Sequence, residues 1–196
     1  MLKELIVPKT SKFSFSRKLA PALAKQQKQE EAKEALVEYE FPQGAYVLRK
    51  ISNQDFVPDE IGEKDVYLYD LESCKIDLRG IKVAAIHARN ISKCCIISNP
   101  IQGSFLGHAC IDSKLILGCK QFRIHDSKNV EAFLLIPSDP IIEDCTEMIF
   151  GEYNLKNEDD WYKSIQNHYD QVKDFNWHKK VQSPNWKLAQ ESDIKK

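Results

Sequence analysis

Residues 84–99 read "AAIHARNISKCCIISN", short apolar runs of three to five residues broken by polar ones. That alternation is the period-two signal of a strand, not the 3.6 of a helix. The stretch has company. "YLYDLESCKIDLRG" (67–80), "SFLGHACIDSKLILG" (104–118), "FRIHDSKNVEAFLLIP" (122–137) and "PIIEDCTEMIFGEY" (140–153) can be laid above and below it. Leu68, Ile86, Leu106, Ile124 and Ile142 then recur at spacings of 18, 20, 18 and 18, and Ile76, Ile96 and Ile116 at 20 and 20, with Leu134 a further 18 on. Helical solenoids need longer units, and the Asn/Cys-centred consensus of leucine-rich repeats is missing. A period near 19 built from short strands suits one coil of a parallel β-helix, in which like residues stack from coil to coil. The competing architecture is a β-sandwich, which calls for turn clusters at every corner. Seven glycines in 196 residues count against it. The expectation is a mainly β chain with a parallel β-helix.

The ends of the chain differ from this middle. Residues 1–28 carry seven Lys/Arg against Glu4 alone, a local charge of +6 in a chain whose formal net charge is −1. From Arg17 to about Tyr39 the chain is rich in Ala, Lys, Gln and Glu, which predicts an exposed or partner-packed helix. Residues 1–44 are therefore expected to form a basic arm with one helix, and residues 45–196 the β-helix with its C-terminal additions. At the far end, Asn157 is placed as an N-cap and Trp161, Ile165, Tyr169 and Val172 share one helical face, predicting a helix that covers an end of the coils.

Composition narrows the function classes. The near-zero net charge gives no global case for nucleic-acid or membrane binding. No apolar run reaches the length of a membrane span, and the N-terminal residues are too broken by charge for a secretory signal. These features point to the cytoplasm. The six cysteines form no C-x-x-C pair and lie in apolar stretches, so buried thiols are expected rather than disulfides or metal ligands. The sequon Asn90-Ile91-Ser92 then has no glycan to carry. Neither a phosphate-binding glycine loop nor a nucleophile turn is present, and the five histidines do not combine with cysteines at zinc spacing. His87 and His125 occupy similar coil positions and are expected as stacked or solvated imidazoles. No cofactor or metal is called for, and the chain is not expected to be an enzyme alone.

One residue stands out. If Phe122 and Ile124 face the core, Arg123 faces outward, with Gln121 and His125 on its own face. Glu143, one coil later, falls in the column of His125, within reach of the guanidinium. Arg123 could be ordinary salt-bridge decoration, worth about 0–1 kcal/mol. It could also be a preorganised cation offered to a partner's nucleotide, as an arginine finger is.

Five phrases in one order, "KQFRIHDS" (120–127), "IPSDPIIEDC" (136–145), "IFGEY" (149–153), "VKDFNW" (172–177) and "SPNW" (183–186), resemble the tubulin-folding cofactor C domain. That family is shared with the retinitis-pigmentosa GTPase-activating protein and, more distantly, resembles the actin-binding domain of cyclase-associated protein. The resemblance covers about residues 45–190, and "SKFSFSRK" (11–18) resembles the basic, aromatic linker before the domain. It implies a right-handed parallel β-helix whose Gln-x-Arg motif maps onto Gln121 and Arg123, with Glu143 as the acidic neighbour. It further implies action on αβ-tubulin together with cofactors D and E, where Arg123 would stimulate hydrolysis of the GTP on β-tubulin and release the heterodimer. An Arf-like small GTPase is the alternative target, and a non-catalytic module for cytoskeletal subunits the alternative role. About 40 residues precede the domain here, room for one helix instead of the usual three-helix bundle. The lipidated Met-Gly-Cys start of the retinitis-pigmentosa branch and its kinase-like extension are absent, and "SPNW" is closer to cofactor C, which favours tubulin.

Overall fold

A computed structural model describes residues 40–59, 62–155 and 164–190. Residues 1–39 of the expected basic arm, its helix included, lie outside the described residues. The coils form thirteen strands in parallel register. One stack is built from β1 (Tyr46–Ser52), β3 (Lys64–Glu72) and β5 (Val83–Ser92), the other from β2 (Asp55–Phe56), β4 (Lys75–Leu78) and β6 (Cys95–Ser98). They meet in β7 (Ser104–Gly118), whose first half pairs with β5 and whose second half pairs with β6. Beyond it, β8 (Gln121–His125) and β10 (Ile141–Glu143) continue the first stack, while β9 (Lys128–Leu135) and β11 (Met148–Glu152) continue the second. The parallel β-helix is the observed architecture.

The stacked columns differ from those the apolar spacing suggests. The first core column is Leu68, Ala88, Gly107, Ile124 and Ile142, and beside it run Val66, Ile86, Phe105 and Phe122. Leu106, expected inside, is 40% exposed. Gly107 takes the inward place because a Cβ there would lie 2.8 Å from Cγ1 of Ile124. The large side chains of one coil thus claim the space of the small ones in the next. Likewise Ile76, Ile96, Leu115, Ala132 and Phe150 form the column of the second stack, not Ile116 and Leu134.

Coil length explains the slip. The stretch from one stack to the other takes ten residues in each coil, from Leu68 to Leu78, Ala88 to Ser98, Gly107 to Leu117 and Ile124 to Leu134. The return takes 10, 9, 7 and 8 residues, ending at Ala88, Gly107, Ile124 and Ile142. No single period fits such a series.

The constant half contains a repeated corner. Two residues with left-handed backbone, three apart, turn each coil: Lys50 and Asn53, Asp70 and Ser73, Asn90 and Lys93, Ala109 and Asp112, Asp126 and Asn129, Asp144 and Glu147. Seven of these twelve are Asn or Asp, the side chains that tolerate this conformation best after glycine. The scarcity of glycine is met this way. Asn90 Nδ2 donates to Asp70 Oδ1 and Asn129 Nδ2 to Asp112 Oδ1, each at 2.8 Å, linking corner to corner. Under the corners, buried hydroxyls satisfy backbone groups: Ser113 Oγ accepts from Cys94 N at 3.1 Å and donates to the Ile111 carbonyl at 2.7 Å. Ser113→Ala leaves the Cys94 N–H without that acceptor, and urea unfolding is expected to show a loss of about 1–3 kcal/mol.

The C-terminal residues cover the open end; of the expected helix, Asn157 and Trp161 lie outside the described residues. From Ser164 to Val172 the described backbone is irregular. Its hydrogen bonds go to the coils: His168 N donates to the Ile136 carbonyl at 2.8 Å and Lys173 N to that of Pro140 at 2.8 Å. The Asn167 side chain receives Ile136 N and donates to the Leu134 carbonyl, both at 2.9 Å. The edge of a solenoid presents a row of unpaired backbone groups, and a helix, spending its own groups internally, would leave them unmet. Two short strands, β12 (Lys173–Asp174) and β13 (Trp186–Leu188), complete the cover on β10 and β11. Val172 is buried, and Tyr169 and Trp186 pack against the core. Among the described residues no helix is long and apolar enough to cross a membrane.

Candidate functional site

Alternation along β8 follows from its sequence. Phe122 and Ile124 are buried, at 1% and 0% exposure, while Gln121 and Arg123 are exposed. Phe122 anchors the strand, its ring stacked on Phe105 with centroids 5.0 Å apart and meeting Phe150 edge-on at 6.1 Å. Arg123 is thereby carried on a strand fixed on both sides, between β7 and β10.

Two outward columns frame it. Tyr67, His87, Leu106, Arg123 and Ile141 share one. Tyr69, Arg89, His108, His125 and Glu143 share the next. The structure places Gln121 two residues before Arg123 on the same exposed face, and Glu143 beside His125 in register. No ion pair joins Arg123 to Glu143 or to another carboxylate among the described residues. The guanidinium instead stands over the ring of Phe175, 5.6 Å from its centroid. Phe175 is held by its own backbone N–H, which donates to the Ile142 carbonyl at 3.0 Å, and it remains 47% exposed. A ring face under a cation restrains it without neutralising it, so Arg123 keeps a full charge toward the outside.

The sequence spacing does not reveal Phe175. It lies in "VKDFNW", in a segment read as the end of a helix, and only the strand pairing of the tail brings it to Arg123. The two histidines read as equivalent belong to different columns. His87 stacks on Tyr67 at 4.5 Å with 4° between planes, and its burial lowers its pKa despite the Asp65 charge nearby. His125 meets His108 edge-on at 4.4 Å.

The cysteines are free, and all but Cys95 are buried, as the apolar contexts predict. Burial pushes the thiols of Cys110 and Cys119 up to about 12. Such groups stay protonated at neutral pH and are poor nucleophiles.

Comparison with known proteins gives a consistent family. The family model described as "Tubulin binding cofactor C" matches residues 63–183. "Tubulin-folding cofactor C" of Arabidopsis thaliana is 35% identical over 147 residues, which are 71% of this chain and 42% of that protein. "Tubulin-specific chaperone C" of Mus musculus is 31% identical over 143 residues, 69% of this chain and 42% of that protein. The chain thus matches well under half the length of these relatives. Among solved structures, "Tubulin Binding Cofactor C from Leishmania major" superposes with a TM-score of 0.52 at 21% identity, covering 71% of this chain and 90% of that one, which extends the likeness of fold.

Proposed function

The chain belongs to the tubulin binding cofactor C family, and from that premise we propose that it serves tubulin folding as a GTPase activator acting in trans. The reading rests on one observation. Arg123 is exposed on a strand fixed on both sides, packed over Phe175 and unmatched by any carboxylate among the described residues.

An always-charged, planar guanidinium presented this way suits the γ-phosphate oxygens of a bound nucleotide. Charge spreads over those oxygens as the phosphoryl group loosens, and a cation positioned beforehand stabilises it without reorganising. In this reading the GTP is that of β-tubulin, held in a complex with cofactors D and E. Hydrolysis then releases the αβ heterodimer in the cytoplasm. Gln121 and Glu143 act as supporting polar groups on either side of the finger. The basic arm at residues 1–28 steers the chain toward an acidic partner surface.

The test is GTP turnover by tubulin in the presence of cofactors D and E, with and without this chain. Stimulation supports the proposal. No stimulation with tubulin, but stimulation of an Arf-like GTPase, would transfer the activity to that target. Stable binding with unchanged turnover in both would reduce the chain to a binding module. A finer expectation concerns the ring beneath the guanidinium. Phe175→Ala removes a contact worth about 1 kcal/mol and is expected to lower stimulation about fivefold while the protein stays folded by circular dichroism.

A further inference from the structure

We propose that His108, His125 and Asp126 form a site for one divalent transition-metal ion on the outer face of the coils. The donors are already gathered. His108 Nε2 lies 3.1 Å and His125 Nδ1 3.3 Å from the same carboxylate oxygen, Oδ2 of Asp126, and the three ligand atoms fall within 4.8 Å of one another. Metal–nitrogen and metal–oxygen bonds of about 2.0–2.2 Å in a tetrahedral zinc site put neighbouring donors about 3.3 Å apart. Two of the three donor separations match that edge as they stand.

The scaffold explains why these residues converge although 17 positions separate the histidines. His108 and His125 are register partners on β7 and β8. Asp126 follows at a left-handed corner, with φ of 51°, and its N–H donates to the Glu143 carbonyl at 3.1 Å. Ser127 Oγ, buried beneath, donates to the His125 carbonyl at 2.9 Å and accepts from Cys110 N at 3.0 Å. Both ends of the ligand set are therefore fixed by backbone contacts. The side chains remain open to solvent, at 22, 42 and 53% for His108, His125 and Asp126, leaving room for water as a fourth ligand. Glu143 beside His125 favours a cation there, and Arg89 beside His108 opposes it.

Two imidazoles and one carboxylate suit zinc and its neighbours in the first transition row, not calcium or magnesium, which prefer oxygen. Without metal, His125 Nδ1 is hydrogen-bonded to Oδ2 of Asp126 at 3.3 Å, and His108 Nε2 stands 3.1 Å from the same oxygen. A bound ion takes the lone pairs of His108 Nε2 and His125 Nδ1, with each neutral ring's proton on its other nitrogen.

Cobalt(II) titration of the full chain tests the proposal, because four-coordinate cobalt absorbs visibly and thiolate ligation adds a separate near-ultraviolet band. The expected result is one Co²⁺ per chain, a four-coordinate spectrum without the thiolate band, and displacement by Zn²⁺. His125→Gln and Asp126→Asn are each expected to weaken binding about tenfold or more, while His178→Gln in the tail leaves it unchanged. Asn accepts the left-handed corner that Asp126 occupies, so Asp126→Asn separates lost ligation from lost folding, with thermal melting as the check. Absence of uptake, uptake undiminished in both variants, or a thiolate band would overturn the site and leave a hydrogen-bonded cluster only.

Discussion

Arg123→Ala is expected to abolish stimulated GTP hydrolysis on β-tubulin, lowering it by about 10³-fold or more, because a finger that neutralises transition-state charge contributes about 10³–10⁵ in rate. Structure and stability should barely change. Arg123 is exposed on β8 and packs over the face of Phe175, so the substitution removes one partly exposed contact and is expected to shift stability by about 1 kcal/mol or less. Arg123→Lys sharpens the result. Lysine keeps the charge but loses the planar fork, and turnover between that of the wild type and the alanine variant would separate charge from geometry. Binding to the tubulin–cofactor assembly, measured in parallel, should survive in both variants. Equal stimulation by wild type and Arg123→Ala would make this a surface arginine and sink the activator reading.

The second large effect is on the fold. Phe122→Ala removes a ring that is 1% exposed, stacked on Phe105 and edge-on to Phe150, and Phe150 in turn meets Trp186 at 6.1 Å. A cavity of that size costs about 3–5 kcal/mol, a large share of the 5–15 kcal/mol or so that holds a typical domain together. Urea unfolding followed by tryptophan fluorescence should show a much lower midpoint. Each coil is supported by its neighbours, so the damage should reach β8 and the tail first, taking the outward placement of Arg123 with it. A shift below about 1 kcal/mol would mean that the aromatic row can collapse into the gap.

The sequence carried the architecture well and the registration badly. Short apolar runs recurring near every nineteenth residue were enough for a parallel β-helix, and alternation around Phe122 and Ile124 was enough to turn Arg123 outward. The columns slipped at Leu106 because an apolar residue was matched to apolar residues, whereas the stack places Ala88 and Gly107 beside Leu68 and Ile124. Small residues in a core column leave no hydrophobic mark. The corners did leave one: Asp70, Asn90, Asp126 and Asp144 each stand two residues after a core position, with φ near 50°. Over residues 164–172, the described part of the expected C-terminal helix, the backbone is irregular for a different reason. The spacing of Ile165, Tyr169 and Val172 is real, but the edge carbonyls of Ile136, Pro140 and Ile142 take the backbone donors of His168, Lys173 and Phe175. Phe175 beneath Arg123 was hidden with that segment, since no local pattern records a partner that arrives from the end of the chain.

Because every change in coil length is confined to the return stretches, the molecule has a side on which lengthening is harmless. Between Leu78 and Val83 the chain passes through Gly80, which has φ of 80° and open space where a Cβ would lie. Extra residues there would loop into solvent and leave the register of the next coil untouched. A single residue added between Asn90 and Lys93 would push Cys94, Ile96 and Ser98 out of step with the neighbouring coils. Peptide tags, reporter domains and natural insertions therefore share one permitted address on this scaffold, opposite the corner that insertion would break.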